Sequence, residues 1–147
     1  MLKPTRILVP TDFSEFSDKA LKQALDIAKQ YNAMVYVLHV VHEQVYCGGD
    51  YCFTGDMALT ALDGMLAAAT ESLQKQLSKF PEVKEVEVIT DVAKGLPYDA
   101  ILKKAEDEGI DLIVIASLGR SGIAKYLIGG VARNVLKGAK CPVLLTK

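Results

Sequence analysis

A chain of 147 residues, half of them hydrophobic, is the size of one compact domain, expected over residues 1–147, and can bury a core without disulfide staples. With 24% charged residues the composition is not that of a disordered chain or a coiled coil, and a formal net charge of −1 gives no reason to expect nucleic acid or an anionic membrane as partner. No apolar run reaches membrane-spanning length, and the opening residues lack an apolar secretory core with a cleavage site, so a cytoplasmic location is expected.

Ile7, Leu8 and Val9 predict a short buried strand over residues 5–9, followed by a turn over 10–14 that carries helix-start chemistry. Ala20, Leu21, Ala24, Leu25, Ile27, Ala28 and Tyr31 recur at helical spacing, so a helix is expected from about 14 to 31, ended by Asn32. Residues 34–41 are apolar almost throughout and rich in β-branched side chains, the pattern of a strand covered on both faces. Residues 42–56, with Gly48, Gly49 and Gly55, read as a loop, and a loop this long is usually functional or mobile. Leu59, Leu62, Leu66, Ala69, Leu73 and Leu77 form the stripe of a second helix ending near Phe80, where Pro81 stops it.

Within residues 83–90, Val86 and Val88 alternate with Glu85 and Glu87, so a third strand with one wet face is expected at a sheet edge. A third helix starts at Pro97, carries Tyr98, Ile101, Leu102 and Ala105, and is capped by Gly109. Residues 112–116 are a fully apolar, central fourth strand. Gly129 and Gly130 precede a last helix with Val131, Val135 and Leu136, closed by Gly138, and residues 142–146 form the fifth strand. Alternating strands and helices imply an α/β fold with an open five-stranded parallel sheet, right-handed crossovers and helices on both faces. An edge at strand three gives the order 3-2-1-4-5, whose winding reverses between strands one and four. Ligands bind such sheets at that switch point, beyond the carboxyl ends of the strands. Segments 10–14 and 116–130 are therefore the candidate site.

Cys47, Cys52 and Cys141 are too few for a disulfide framework, which fits a reducing compartment. Cys47 and Cys52 lie near His42, but their four-residue separation is wider than usual for zinc and no fourth ligand is evident, so no metal site is assigned. The run Ala116-Ser117-Leu118-Gly119-Arg120-Ser121-Gly122, with Gly129-Gly130 opening a helix, suits phosphate binding, since glycines admit a close backbone and helix N-termini favour anions. Glycines after a strand also simply make turns. Arg120 and Lys125 add positive charge, although such residues are more often solvated than ligand-bound. There is no G-x-x-x-x-G-K-[ST] and no G-x-G-x-x-G after strand one, which excludes a P-loop and a usual dinucleotide fold.

Ile7-Leu8-Val9-Pro10-Thr11-Asp12-Phe13-Ser14-Glu15 resembles the opening of the universal stress protein family. His39-Val40-Val41, Lys94-Gly95-Leu96-Pro97, the stretch 105–114, Gly119-Arg120-Ser121-Gly122 and Cys141-Pro142-Val143-Leu144-Leu145 extend the similarity over nearly the whole chain outside residues 42–56. The resemblance implies a Rossmann-like fold of the adenine nucleotide alpha hydrolase kind, a role in stress response or signalling, and binding of ATP or AMP with Mg or Mn held through the phosphates. The ATP-binding branch carries Gly, two residues, Gly, nine residues, then Gly-Ser or Gly-Thr. Gly119 and Gly129 keep that spacing, whereas Ala116 replaces the first glycine and Gly130 the hydroxyl residue.

By resemblance, Pro10, Thr11 and Asp12 line the ribose and adenine end, and Val40 meets the base through its backbone. Gly119, Gly129, Gly130 and Val131 hold the phosphates, with Ala116, Arg120 and Gly122 in the same loop. The amides of Gly119, Gly129 and Gly130 are expected to converge beside Asp12. On a purely structural reading Asp12 is a helix N-cap paired with Glu15, and Val40 is strand packing. His39 and His42 have no nucleophile paired with them, so no catalytic residue is assigned and at most weak ATP hydrolysis is expected. The apolar last strand, Val143-Leu144-Leu145, is an edge with little protection, and family resemblance points to a homodimer paired along it. A dimeric interaction module that no longer binds nucleotide is the alternative.

Overall fold

The structure is a computed structural model that describes residues 2–42, 47–48, 51–52, 56–119 and 128–147. Five strands, β1 (Arg6–Pro10), β2 (Met34–Val41), β3 (Val88–Lys94), β4 (Leu112–Ala116) and β5 (Val143–Thr146), form one sheet. All neighbours are parallel, in the order β3-β2-β1-β4-β5, which is the expected 3-2-1-4-5. Helices α1 (Glu15–Tyr31), α2 (Asp56–Leu77), α3 (Pro97–Asp107) and α4 (Gly130–Gly138) supply the crossovers.

The two-residue period of the strands divides the core. Ile7, Val9, Val35, Val37, Leu112 and Val114 face α1 and the end of α2, whereas Leu8, Tyr36, Leu38, Ile113 and Ile115 face α3 and α4. Both clusters hold side chains with no exposure at all, such as Ile7 and Leu8, which is why these strands read as continuous apolar runs.

Three expectations need correction. The third strand starts at Val88 and runs to Lys94, instead of covering 83–90. Pro81 starts a short 3-10 turn through Lys84 whose Val83, with Val86, packs on the α1-side core, and Glu82 pairs with Lys22 at 2.9 Å. The Glu-Val alternation therefore belongs to a packed connection, and the strand still lies at the sheet edge. Within the expected loop 42–56, Cys47–Gly48 and Tyr51–Cys52 pair as a small antiparallel ladder and α2 begins at Asp56. Finally, the stripe of α2 reaches the core only through Ala69, Leu73 and Leu77, while Leu59 is 61% exposed.

The start of β4 is tied to the start of β1. Asp111 accepts from the Thr5 amide (2.9 Å), the Thr5 hydroxyl (2.6 Å) and the Arg6 amide (3.0 Å). Burial alone pushes this carboxyl up, but the Thr5 hydroxyl and the amides of Arg6 and Thr5 outweigh it and hold the group below its ordinary value. A carboxyl so depressed stabilises the fold fully above its unfolded-chain value of about 3.9, and the contribution is lost as pH falls through the folded value. Asp111→Asn is accordingly expected to lower the urea midpoint at pH 7, with the difference from wild type shrinking in acid. Equal midpoints at pH 7 would remove this role from Asp111.

Candidate functional site

β1 pairs with β2 along its full length, but with β4 only through Ile7–Leu112 and Leu8–Ile113. Beyond Leu8 the two central strands part, and a cavity of about 360 Å³ opens at their carboxyl ends. Pro10, Thr11, Asp12, Val40, Ala116, Gly119, Gly129, Gly130 and Val131 all line it. Arg120 and Gly122, like Lys125, lie outside the described residues.

Thr11 anchors the first wall. Its amide donates to the Leu38 carbonyl (2.9 Å), and its hydroxyl contacts Ser17 (3.0 Å) and Gln76 (2.9 Å) while accepting from the Phe13 amide (3.1 Å). Thr11, Ser17 and Gln76 are buried, so leaving one of these side chains unsatisfied costs about 1–3 kcal/mol. The network holds Phe13 at φ 64°, a left-handed value that bulky residues rarely adopt. The Phe13 ring in turn stacks on His39, with centroids 4.3 Å apart. His39 Nδ1 lies 2.8 Å from the Thr11 carbonyl, which can only accept, so Nδ1 carries the proton. Among the described residues no hydroxyl or thiol is hydrogen-bonded to this imidazole, and the site offers binding groups without a nucleophile and base in contact.

Asp12 is not the helix cap. Ser14 caps α1, accepting from the Ser17 amide, and Asp12 Oδ1 accepts from both the amide (3.0 Å) and the hydroxyl of Ser14. The carboxylate is thereby fixed against Gly119, where a Cβ would stand 2.8 Å from Oδ2. Position 119 has no room for a side chain unless that carboxylate moves.

The opposite wall is the start of α4. Gly129 occupies the N-cap and offers no side-chain cap to the first-turn amides. Its own amide donates to the Ser117 carbonyl at 2.7 Å, so it is not one of the bare amides expected at this wall. A Cβ on Gly129 would press on that carbonyl at 3.3 Å, whereas one on Gly130 would meet nothing within 4 Å. Ala116 packs partly into the α1-side core.

Sequence reasoning missed several walls. Leu38, Ile101 and Ile115 give an apolar floor, and Ser17, His39, Pro97 and Ala132 add to the lining, beside Ser117 and Leu118 of the expected segment 116–130. Pro97 carried a usable signal, because a helix that follows a parallel strand starts at the carboxyl end of the sheet. Ser117 belongs to the expected run 116–122, but its contact with Gly129 is made by its main-chain carbonyl. The cavity thus combines an apolar floor, a fixed carboxylate and a helix start whose N-cap has no capping side chain, an arrangement for a ligand with a flat apolar part and an anionic part.

Residues 4–147 match the model of a family described as the universal stress protein family. Universal stress protein MJ0531 of Methanocaldococcus jannaschii is 33% identical over 142 residues, which are 97% of this chain and 81% of that protein. The structure of universal stress protein UspA from Lactobacillus plantarum superposes with a TM-score of 0.83 at 24% identity, each chain covered completely. A universal stress protein in complex with cAMP has a TM-score of 0.62 at 23% identity, covering 99% of this chain and 98% of its own. One from Archaeoglobus fulgidus in complex with dAMP has a TM-score of 0.59 at 23% identity, covering 99% and 100%. At these identities the structures establish the shared fold.

Two glycines of the crevice should respond oppositely to a methyl group. Gly119→Ala is expected to lose about 1–3 kcal/mol through overpacking against the fixed carboxylate. Gly130→Ala should gain about 0.5–1 kcal/mol, because it removes a flexible residue from a helix without a clash. Urea unfolding of both variants checks the pair, and a Gly119→Ala protein as stable as wild type would contradict the close approach.

Proposed function

The chain belongs to the universal stress protein family, and on that premise we propose that it binds an adenine nucleotide, ATP or AMP, between β1 and β4, acting in stress response or signalling. The observation that carries this reading is a fixed Asp12 carboxylate against Gly119 in one cavity with the uncapped first turn of α4. Family members in complex with cAMP and dAMP support the choice of an adenine nucleotide.

In this proposal Pro10, Thr11 and Asp12 take the ribose and adenine end, and Val40 meets the base through its backbone. Gly119, Gly130 and Val131 hold the phosphates through main-chain amides, with Ala116 and Gly129 shaping the wall around them. Arg120 and Gly122 belong to the same loop by their place in the sequence. A divalent cation, Mg or Mn, would neutralise phosphate oxygens not reached by amides. With His39 Nδ1 committed to a main-chain carbonyl and no hydroxyl or thiol hydrogen-bonded to this imidazole among the described residues, at most weak hydrolysis is proposed. The commitment of the Gly129 amide to Ser117 removes one donor and favours the second reading, an interaction module that has lost the nucleotide.

Calorimetric titration with ATP and AMP, with and without Mg²⁺, decides between these readings. Saturable binding of one nucleotide per chain is expected, and Gly130→Ser, which adds a hydroxyl donor where there is space, should tighten it about tenfold, or ~1.4 kcal/mol. Absence of both heat and co-purified nucleotide leaves the interaction module.

We also propose a homodimer paired along β5. This strand ends the sheet, Val143, Leu144 and Leu145 are only half-buried, and the buried Thr146 Oγ1 has no hydrogen-bond partner among the described residues. Light scattering at micromolar concentration should give twice the chain mass, and a purely monomeric protein would end this proposal.

A further inference from the structure

Two cysteines, Cys47 and Cys52, lie in the stretch between β2 and α2. Their backbone lies in the small antiparallel ladder, where Cys47 stands opposite Cys52 and Gly48 opposite Tyr51. Only two residues separate Gly48 from Tyr51 in the chain. Gly48 and Tyr51 are therefore the last pair of the ladder, and an antiparallel ladder whose last pair is separated by two residues in the chain ends, as a rule, on a pair that exchanges both main-chain hydrogen bonds. Pairs alternate along an antiparallel ladder, which makes Cys47 and Cys52 a non-hydrogen-bonded pair, a kind whose Cα atoms stand about 4.5 Å apart. A disulfide requires Cα atoms roughly 4.4–6.8 Å apart. The ladder thus sets the two residues at bridging separation before any sulfur is oxidised, and the cost of closing the intervening loop is already met by main-chain pairing.

We propose that Cys47 and Cys52 form a reversible dithiol–disulfide site that exchanges with low-molecular-weight disulfides of the glutathione type. The thiolate of one cysteine attacks a sulfur of the small disulfide, whose S–S bond breaks and releases one small thiol. The second cysteine, deprotonated, attacks the protein sulfur of that mixed disulfide and releases the other small thiol. The hairpin is oxidised by two electrons and gives up two protons, and the small disulfide is reduced to two thiols, so the exchange balances without a further reagent. Cys141 is the internal control. It is partly buried beyond α4, burial pushes its thiol up, and a lone thiol has no partner with which to close a ring. The site is independent of the nucleotide reading.

The test uses the full chain, equilibrated anaerobically in buffers of increasing oxidised-to-reduced glutathione ratio, quenched in acid, denatured and alkylated, then mapped by peptide mass. Cys47 and Cys52 are expected to lose alkylation together, the peptide carrying both becoming lighter by two hydrogens and carrying no glutathione, while Cys141 stays alkylated. Dithiothreitol should restore both thiols. In Cys47→Ser, Cys52 should end only as a glutathione adduct or a free thiol, with circular dichroism confirming the unchanged fold. The proposal is overturned if both cysteines remain alkylated in the most oxidising buffer. It is equally overturned if they end as two separate adducts or as links between chains.

Discussion

Thr11 is the point on which the carboxyl end of the sheet depends. Its amide is committed to β2 through Leu38, its carbonyl receives His39, and its hydroxyl joins Phe13, Ser17 on α1 and Gln76 on α2. Main chain and side chain of one residue, 6% exposed, therefore bring three elements to the tip of β1. In a buried setting such bonds strengthen one another and are costly to leave unmade. The left-handed Phe13 and the placement of Asp12 follow from this clamp, because the chain between Thr11 and the Ser14 cap has little freedom left.

The crevice exists because β1 and β4 pair through only two residues each and then diverge. Around that gap the fold assigns contrasting chemistry to its walls. Apolar side chains from β2, α3 and β4 form the floor, a carboxylate held by Ser14 stands at the β1 side, and the first turn of α4, whose N-cap glycine has no capping side chain, lines the same cavity. The two close-packed glycines serve different neighbours, Gly119 the Asp12 carboxylate and Gly129 the Ser117 carbonyl. Gly130 is under neither constraint, which agrees with its place in the family pattern being open to a residue with a side chain.

Strand order was legible because burial writes itself into hydrophobic pattern. Residues 34–41 and 112–116 are apolar on both faces and central, whereas β3 alternates between half-buried and exposed residues over Val88–Asp91 and lies at the edge. The bounds of that edge strand were not legible, since Val83 and Val86 fill the core from a 3-10 turn and its sequel, and a pattern of burial does not report which backbone delivers the side chain. The same limit applies at the crevice. Nine expected lining residues meet there because motif spacing tracks loop geometry, but the partner of the Gly129 amide is a main-chain carbonyl that any residue at 117 would supply. Ser14 and Asp12 both have cap chemistry, and only the three-dimensional turn decides between them.

Helix α2 is held unevenly. Ala69, Leu73, Gln76 and Leu77 fix its last turns in the core and to Thr11, while Leu59 and Met65 face solvent. Its two halves consequently belong to different cooperative units. The first turns can open and exchange their amide protons with water at a small fraction of the global unfolding free energy, whereas amides near Gln76 exchange only when the tip of β1 comes apart.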